Sequence, residues 1–263
     1  MKRILIGALA LSAACATSPT GRKQLILMPE DEMSALGANA FEELKTNEPV
    51  STDAALTAYV DCVTQAVLAA NRARVGSGWE VRVFASDQVN AFALPGKKVG
   101  VYEGMARFAD DADQLSAVIG HEIGHVLAQH SNERVSESTL AETGLSILGA
   151  WEGGGENKQL LLGALGLGYQ FGRALPHSRA QESEADTIGL VFMARAGFDP
   201  QASVRLWEKM AGRGEAGPEF LSTHPAPQNR AAALAEQVAE VRPVYEEARA
   251  AGRTPTCRKP GTR

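Results

Sequence analysis

At 263 residues with 44% hydrophobic side chains, the chain is long enough to bury a sizeable core, which excludes a wholly disordered or fibrous protein. A formal net charge of −5, with no basic stripe interleaved with aromatics, gives no electrostatic case for nucleic acid as a partner. The one basic cluster is the tail Arg253, Arg258, Lys259 and Arg263, which reads as solvated.

Residues 1–14 have a basic start at Lys2 and Arg3, an apolar run from Ile4 to Leu11 and small residues thereafter, the pattern of an export signal too short to span a membrane. Ser12-Ala13-Ala14-Cys15 resembles a bacterial lipobox, with Ser12 where leucine is usual. Either Cys15 is acylated or cleavage is the ordinary kind near Ala14 or Ala16. These features predict a periplasmic protein held at the outer membrane as a lipoprotein. Residues 15–26, with Pro19 and Gly21, are then a lipid-anchored tether that needs no structure. Acylation of Cys15 would leave Cys62 and Cys257, which either form a disulfide in an oxidising compartment or stand as a small core residue and a free tail thiol.

A helix is predicted from Glu30 to about Lys45, with Glu30, Asp31 and Glu32 complementing its dipole. Asp53 caps a second, whose buried stripe is Leu56, Val60, Val63 and Val67. Strands follow at Trp79 to Ala85, Asn90 to Leu94 and Lys98 to Tyr102, then a short helix at Glu103 to Phe108 and a cap at Asp110-Asp111. The fold class is α+β, mostly helical, with a small sheet beside the next helix. An edge strand there can hold an extended peptide by main-chain hydrogen bonds, or the sheet can simply cover that helix.

That helix carries the densest chemistry. Leu115 to His130 reads LSAVIGHEIGHVLAQH, an H-E-x-x-H pattern in which His121 and His125 lie about 40° apart on adjacent turns and can reach one metal ion from the same side. Glu122 stands beside them as a general base for water, whose pKa Zn²⁺ lowers to roughly 7. Gly120 and Gly124 cost about 1 kcal/mol each against alanine, which predicts close approach of another backbone or a substrate.

Residues 139–173, rich in Leu, Gly and Ala, predict a helical hairpin, serving as a lid or membrane contact or simply as two buried helices. Arg179 to Met193 predicts a helix ended by Gly197, with Asp199-Pro200 starting the next. Glu182 and Asp186 share a face of it, and Glu184 points elsewhere. Glu182 completes a His₂Glu zinc set, and Asp186 can accept the distal N–H of a ligand imidazole. A loop with His224 and Arg230 leads into a last helix from about Gln228 to Ala250.

Four ordered motifs, HEIGHVLAQH, the Glu182 to Asp186 segment, NAFALPG at Asn90 to Gly96 and STHPAPQNR at Ser222 to Arg230, resemble the HtpX/BepA/LoiP-type gluzincin metallopeptidases, a family that includes the CAAX prenyl endopeptidases. The resemblance implies a zincin-like domain over residues 27–251, a tail at 252–263, and one Zn²⁺ per chain on His121, His125 and Glu182 with Glu122 as base. It also implies an endopeptidase of the bacterial envelope acting on misfolded or misassembled envelope proteins. The competing reading is a metal-stabilised periplasmic chaperone or assembly factor for outer-membrane proteins. In this family the STHP histidine can reach the zinc, so His224 is expected as a fourth ligand of a latent state, with Arg230 steadying substrate or oxyanion once His224 swings away. His130 falls one position short of the third ligand of the metzincin pattern and is expected in a supporting role.

Overall fold

The structure, a computed structural model, describes residues 15–141, 162, 164–165, 177–212, 219–225 and 230–261. The expected signal at 1–14, most of the hairpin expected at 139–173 and the expected first turn of the last helix lie outside them.

Helix α1 (Glu30–Asn47) begins after Pro29 with three carboxylates in its first turn, and buries Met33, Leu36, Phe41 and Leu44. Asp53 accepts the Leu56 N–H to start α2 (Ala54–Ala70), whose predicted stripe is buried. A single turn, α3 (Arg72–Val75), leads into the sheet. Strands β3 (Glu80–Phe84), β4 (Ala91–Leu94) and β5 (Lys98–Tyr102) lie in the order β3-β5-β4, with β5 parallel to β3 and antiparallel to β4. Thus β4 is an edge strand. Phe41, Phe84, Phe92 and Tyr102 pack their rings 5.7–6.3 Å apart beneath the sheet, joining it to α1.

After the short α4 (Glu103–Phe108), Asp111 accepts the Gln114 N–H and opens α5 (Ala112–Leu127), which holds the H-E-x-x-H pattern. It stops earlier than the predicted run: Gln129 takes a positive φ of 56°, and His130 starts a new helix, α6 (His130–Ala141). Helix α7 (Arg179–Ala196) opens with a Ser178–Gln181 capping box and closes on left-handed Gly197. Then come α8 (Gln201–Ala211), the single turn α9 (Phe220–Thr223) and α10 (Arg230–Ala250).

The close approach predicted at the helical glycines is an α5–α7 crossing. A Cβ on Gly120 would lie 2.9 Å from the Gly189 carbonyl oxygen, one on Gly124 3.0 Å from that of Ala185, and one on Gly189 2.8 Å from the His121 nitrogen. The small residues let the two helix backbones meet, which brings the residues of Glu182 to Asp186 beside His121 and His125.

Two expectations are corrected. The stretch expected as a structureless tether is an antiparallel hairpin, β1 (Cys15–Thr17) with β2 (Lys23–Leu25), turned by Gly21 at φ 95°. It is held because Arg22 meets buried carboxylates on α6 and α7, an attraction between chain-distant charges that local composition does not register. The tail backbone is docked, while Arg253 and Arg258 of its basic cluster are exposed as expected: Cys257 forms a disulfide with Cys62, and the Lys259 ammonium donates to the carbonyls of Arg107 and Ala109 at 2.7 and 2.5 Å. Among the described residues no helix is long and apolar enough to cross a membrane.

Candidate metal centre

Helix periodicity places His121 and His125 on one face of α5, and their Nε2 atoms lie 2.9 Å apart. From α7 the Glu182 carboxylate stands 3.5 Å from His121 Nε2 and 3.3 Å from His125 Nε2. His224, just after α9, brings Nδ1 to 3.0 Å from Glu182 Oε1 and 3.3 Å from His121 Nε2. Ligand atoms of all four residues lie within 4.8 Å of one another, and all four side chains are buried.

The donor set fits a divalent cation. In the neutral ring, Asp186 Oδ1, 2.9 Å from His121 Nδ1, accepts its proton and leaves Nε2 as a bare lone pair aimed at the Glu182 carboxylate. Lone pairs crowded together away from water repel unless a positive charge lies among them. Burial alone would lower the His121 pKa, yet Glu182 and Asp186 overcome it and push it up to about 9. Burial opposes the charge on Glu182 too, but His224 and His121 hold its carboxyl well below the usual range.

Glu122 sits beside the ligands. Its Oε2 accepts the Ala93 N–H of edge strand β4 at 3.1 Å, while Oε1 is buried, accepts no hydrogen bond among the described residues, and lies 3.4 Å from His224 Nε2. Burial raises its pKa, the direction that poises a carboxylate to take up a proton near neutrality.

Asp186 stands at His121 Nδ1, the ring nitrogen turned away from His125 and Glu182. Arg230 does not stand free for a substrate. Its Nε and Nη2 donate to Asp186 at 2.8 and 2.7 Å and its Nη1 to Glu182 at 2.8 Å, and its guanidinium carbon lies 3.4 Å from the Trp207 ring centroid. With only 4% of its side chain exposed, it is a clamp on two carboxylates. In this arrangement, with His224 in place, its hydrogen-bond partners among the described residues are these two carboxylates and the nearby His121 ring rather than a group in the cleft.

Sequence reasoning missed His177, whose ring lies 3.9 Å from that of His125 and stacks on that of His224 at 4.9 Å, with the Arg134 guanidinium against it. The chain has 5 histidines, all of them buried and all in this one cluster. Such scarcity combined with burial was the available signal. Glu184 indeed faces away from the ligands, but it is buried and bonded to His130, which in turn touches His125.

The chain matches peptidase family M48 over residues 54–238. It is 40% identical over 167 residues to the mitochondrial metalloendopeptidase OMA1 of Schizosaccharomyces pombe, covering 62% of this chain and 47% of that protein. It is 33% identical over 231 residues to the mitochondrial metalloendopeptidase OMA1 of Bos taurus, covering 81% of this chain and 43% of that protein. To the β-barrel assembly-enhancing protease of Escherichia coli strain K12 it is 29% identical over 218 residues, covering 80% of this chain and 44% of that protein. The chain thus spans about half, or less, of the length of these relatives. The expected placement as a periplasmic outer-membrane lipoprotein is overturned by these likenesses, since the relatives at 40% and 33% identity are mitochondrial enzymes and the bacterial one is more distant. The lipid anchor inferred from Cys15 is left without support.

Proposed function

The chain belongs to peptidase family M48, a family of metallopeptidases, and from that premise we propose that it is a zinc-dependent endopeptidase that cleaves unfolded or misassembled proteins. The observation that carries this reading is the convergence of His121, His125 and Glu182 beside a buried Glu122 oxygen that accepts no hydrogen bond among the described residues. His121, His125 and Glu182 would hold the zinc, which when bound supplies Lewis acidity toward the scissile carbonyl and its attacking water.

Glu122 Oε1 accepts the proton of the attacking water and returns it to the leaving amine. The hydrogen bond from Ala93 fixes the other carboxylate oxygen, so the open one keeps its aim. Edge strand β4 lies directly against this carboxylate and offers main-chain groups to an extended peptide. That fits an unfolded segment better than a folded surface. Asp186 holds His121 in its ligating tautomer, and Arg230 holds Asp186 and Glu182. A metal-stabilised chaperone has no use for a buried carboxylate oxygen next to the ligands that accepts no hydrogen bond among the described residues, and this atom favours the enzyme.

His224 is proposed as a fourth ligand that keeps the resting enzyme latent, held between stacked rings of Phe220 at 4.2 Å and His177 at 4.9 Å. On this reading its departure also frees Glu122, now 3.4 Å from its Nε2.

Digestion of an unfolded protein such as casein, beside metal analysis, tests the proposal. Glu122→Gln is expected to keep stoichiometric zinc and to lose hydrolysis by about 10²–10⁴-fold, the usual weight of a general base. Equal hydrolysis by mutant and parent would remove Glu122 from the role. His224→Ala is expected to keep zinc and to hydrolyse faster than the parent. Slower hydrolysis at unchanged zinc content would sink the latch and make His224 part of the reaction itself.

A further inference from the structure

Behind His125 runs a second line of contacts. His125 Nδ1 lies 2.8 Å from His130 Nδ1, and His130 Nε2 lies 3.1 Å from Glu184 Oε2. The tautomers along this line are fixed by chemistry. If His125 offers the Nε2 lone pair to a metal, its proton is on Nδ1, so His130 Nδ1 must accept and His130 carries its own proton on Nε2. That proton is donated to Glu184. A carboxylate therefore stands behind each of the two histidines of α5, directly behind His121 and through one imidazole behind His125.

Glu184 does not hold its place alone. The Thr20 hydroxyl donates to its Oε1 at 2.6 Å and Arg22 Nε to its Oε2 at 2.9 Å, and both donors belong to the amino-terminal hairpin. The same guanidinium forks onto Glu133 of α6 at 2.5 and 2.6 Å, which fixes its direction. The hairpin lies outside residues 54–238, the stretch that matches the peptidase family.

We infer that the amino-terminal hairpin is a working part of the metal centre: Thr20 and Arg22 position Glu184, Glu184 orients His130, and His130 locks His125 in the tautomer that binds metal. The inference rests on the metal centre proposed above. It makes Thr20, Arg22, Glu184 and His130 positioning residues, none of which touches metal or substrate. Outer partners of metal-binding histidines typically carry 10–100-fold in metal affinity, so a hairpin acting through Glu184 should be readable in affinity and not only in folding.

The test is zinc affinity of the full chain by chelator competition, with thermal unfolding of each chelated variant measured beside it. Glu184→Ala and His130→Ala are expected to weaken zinc by about 10–100-fold, and Arg22→Met by about tenfold, with Arg22→Lys recovering most of that because it restores a cationic donor to Glu184. Ser136→Ala is the control. It removes the hydroxyl that accepts the Leu27 N–H at 2.9 Å and so loosens the segment after the hairpin on α6 without touching Glu184. It is expected to lower the unfolding temperature while changing zinc affinity less than about twofold. Affinity that falls in step with unfolding temperature in every variant, the control included, would reduce the hairpin to a structural brace and overturn the inference. So would unchanged affinity in Glu184→Ala and Arg22→Met.

Should the variants not fold, nitrogen chemical shifts of the imidazoles in the zinc-loaded parent decide. The Nε2–H tautomer at His130 is expected, and an Nδ1–H tautomer there would overturn the relay. A parent that takes up no zinc would refute the metal centre itself, a different result from a parent that binds zinc indifferently to Glu184.

Discussion

His121 and His125 are one turn apart on the same helix, yet they are supported from opposite directions and by different means. His121 meets Asp186 directly, and the cation behind Asp186 is Arg230, 4% exposed and stacked on Trp207. His125 meets a second imidazole, then Glu184, then Arg22, which comes from the far end of the chain and keeps 25% of its side chain exposed. The first support is closed and apolar-walled. The second is longer and open to water at its outer end. On the function proposed above, failure of the first side is expected to cost stability and failure of the second to loosen a metal-binding histidine.

The largest expected effect breaks the His121 side. Arg230→Ala leaves Asp186 and Glu182 buried without their cation, and removing one partner of a buried pair costs about 3–5 kcal/mol. Denaturant unfolding measures it. A loss below about 1 kcal/mol would mean that the closed side is no more cohesive than a surface ion pair, and the contrast between the two sides would collapse.

Next in size is a change that should touch neither side. The Cys62–Cys257 disulfide staples α2 to the tail across a sequence separation of 195 residues, remote in the chain from every ligand. Replacing both cysteines by alanine is expected to cost about 2–4 kcal/mol of stability while leaving zinc affinity in place. A fall in affinity of the same proportion would show that affinity here merely tracks global stability.

These two sides were unequally legible in the sequence. The histidine and carboxylate pairs on the His121 side follow from helical spacing: the interval from His121 to His125, and that from Glu182 to Asp186, put each pair on one face whatever the rest of the chain does. Gly120 and Gly124 announced the close approach of another backbone or a substrate, which the structure resolves as the helix crossing, where a Cβ at either or at Gly189 would strike the facing backbone. The His125 side depends on a docking event between residues about 160 apart in the chain. In composition, Ser18 to Arg22 looks like any polar linker. Only the buried acidic groups Glu133 and Glu184, which need a cation, turn it into a docked hairpin, and no local pattern reveals that need. The partners of Arg230 were hidden for the same reason: its position in the motif was plain, but the two carboxylates it meets were set by the fold.

The smallest expected effect sharpens the comparison from the acid side. Burial alone would raise the Glu133 pKa, but the Arg22 fork and the amide of Gln181, which donates at 2.7 Å, outweigh it and hold the carboxyl below its usual value. A carboxyl depressed in the folded state adds stability that is present above its unfolded pKa of about 4.3 and is lost as pH falls through the lower folded value. Glu122 contributes with the opposite sign, since burial raises it. The parent's acid limb is therefore a sum, and the difference between parent and Glu133→Gln isolates one term of it. Both proteins are to be unfolded thermally in chelator, from about pH 5 down to about pH 3, so that ligand protonation enters each curve equally. The glutamine keeps an acceptor for Arg22 but cannot titrate. Its stability should sit below the parent at the upper end and fall less steeply, the two curves drawing together toward the lower end. Parallel curves would mean that Glu133 titrates alike in the folded and unfolded chain, and that Arg22 secures the hairpin through Glu184 alone.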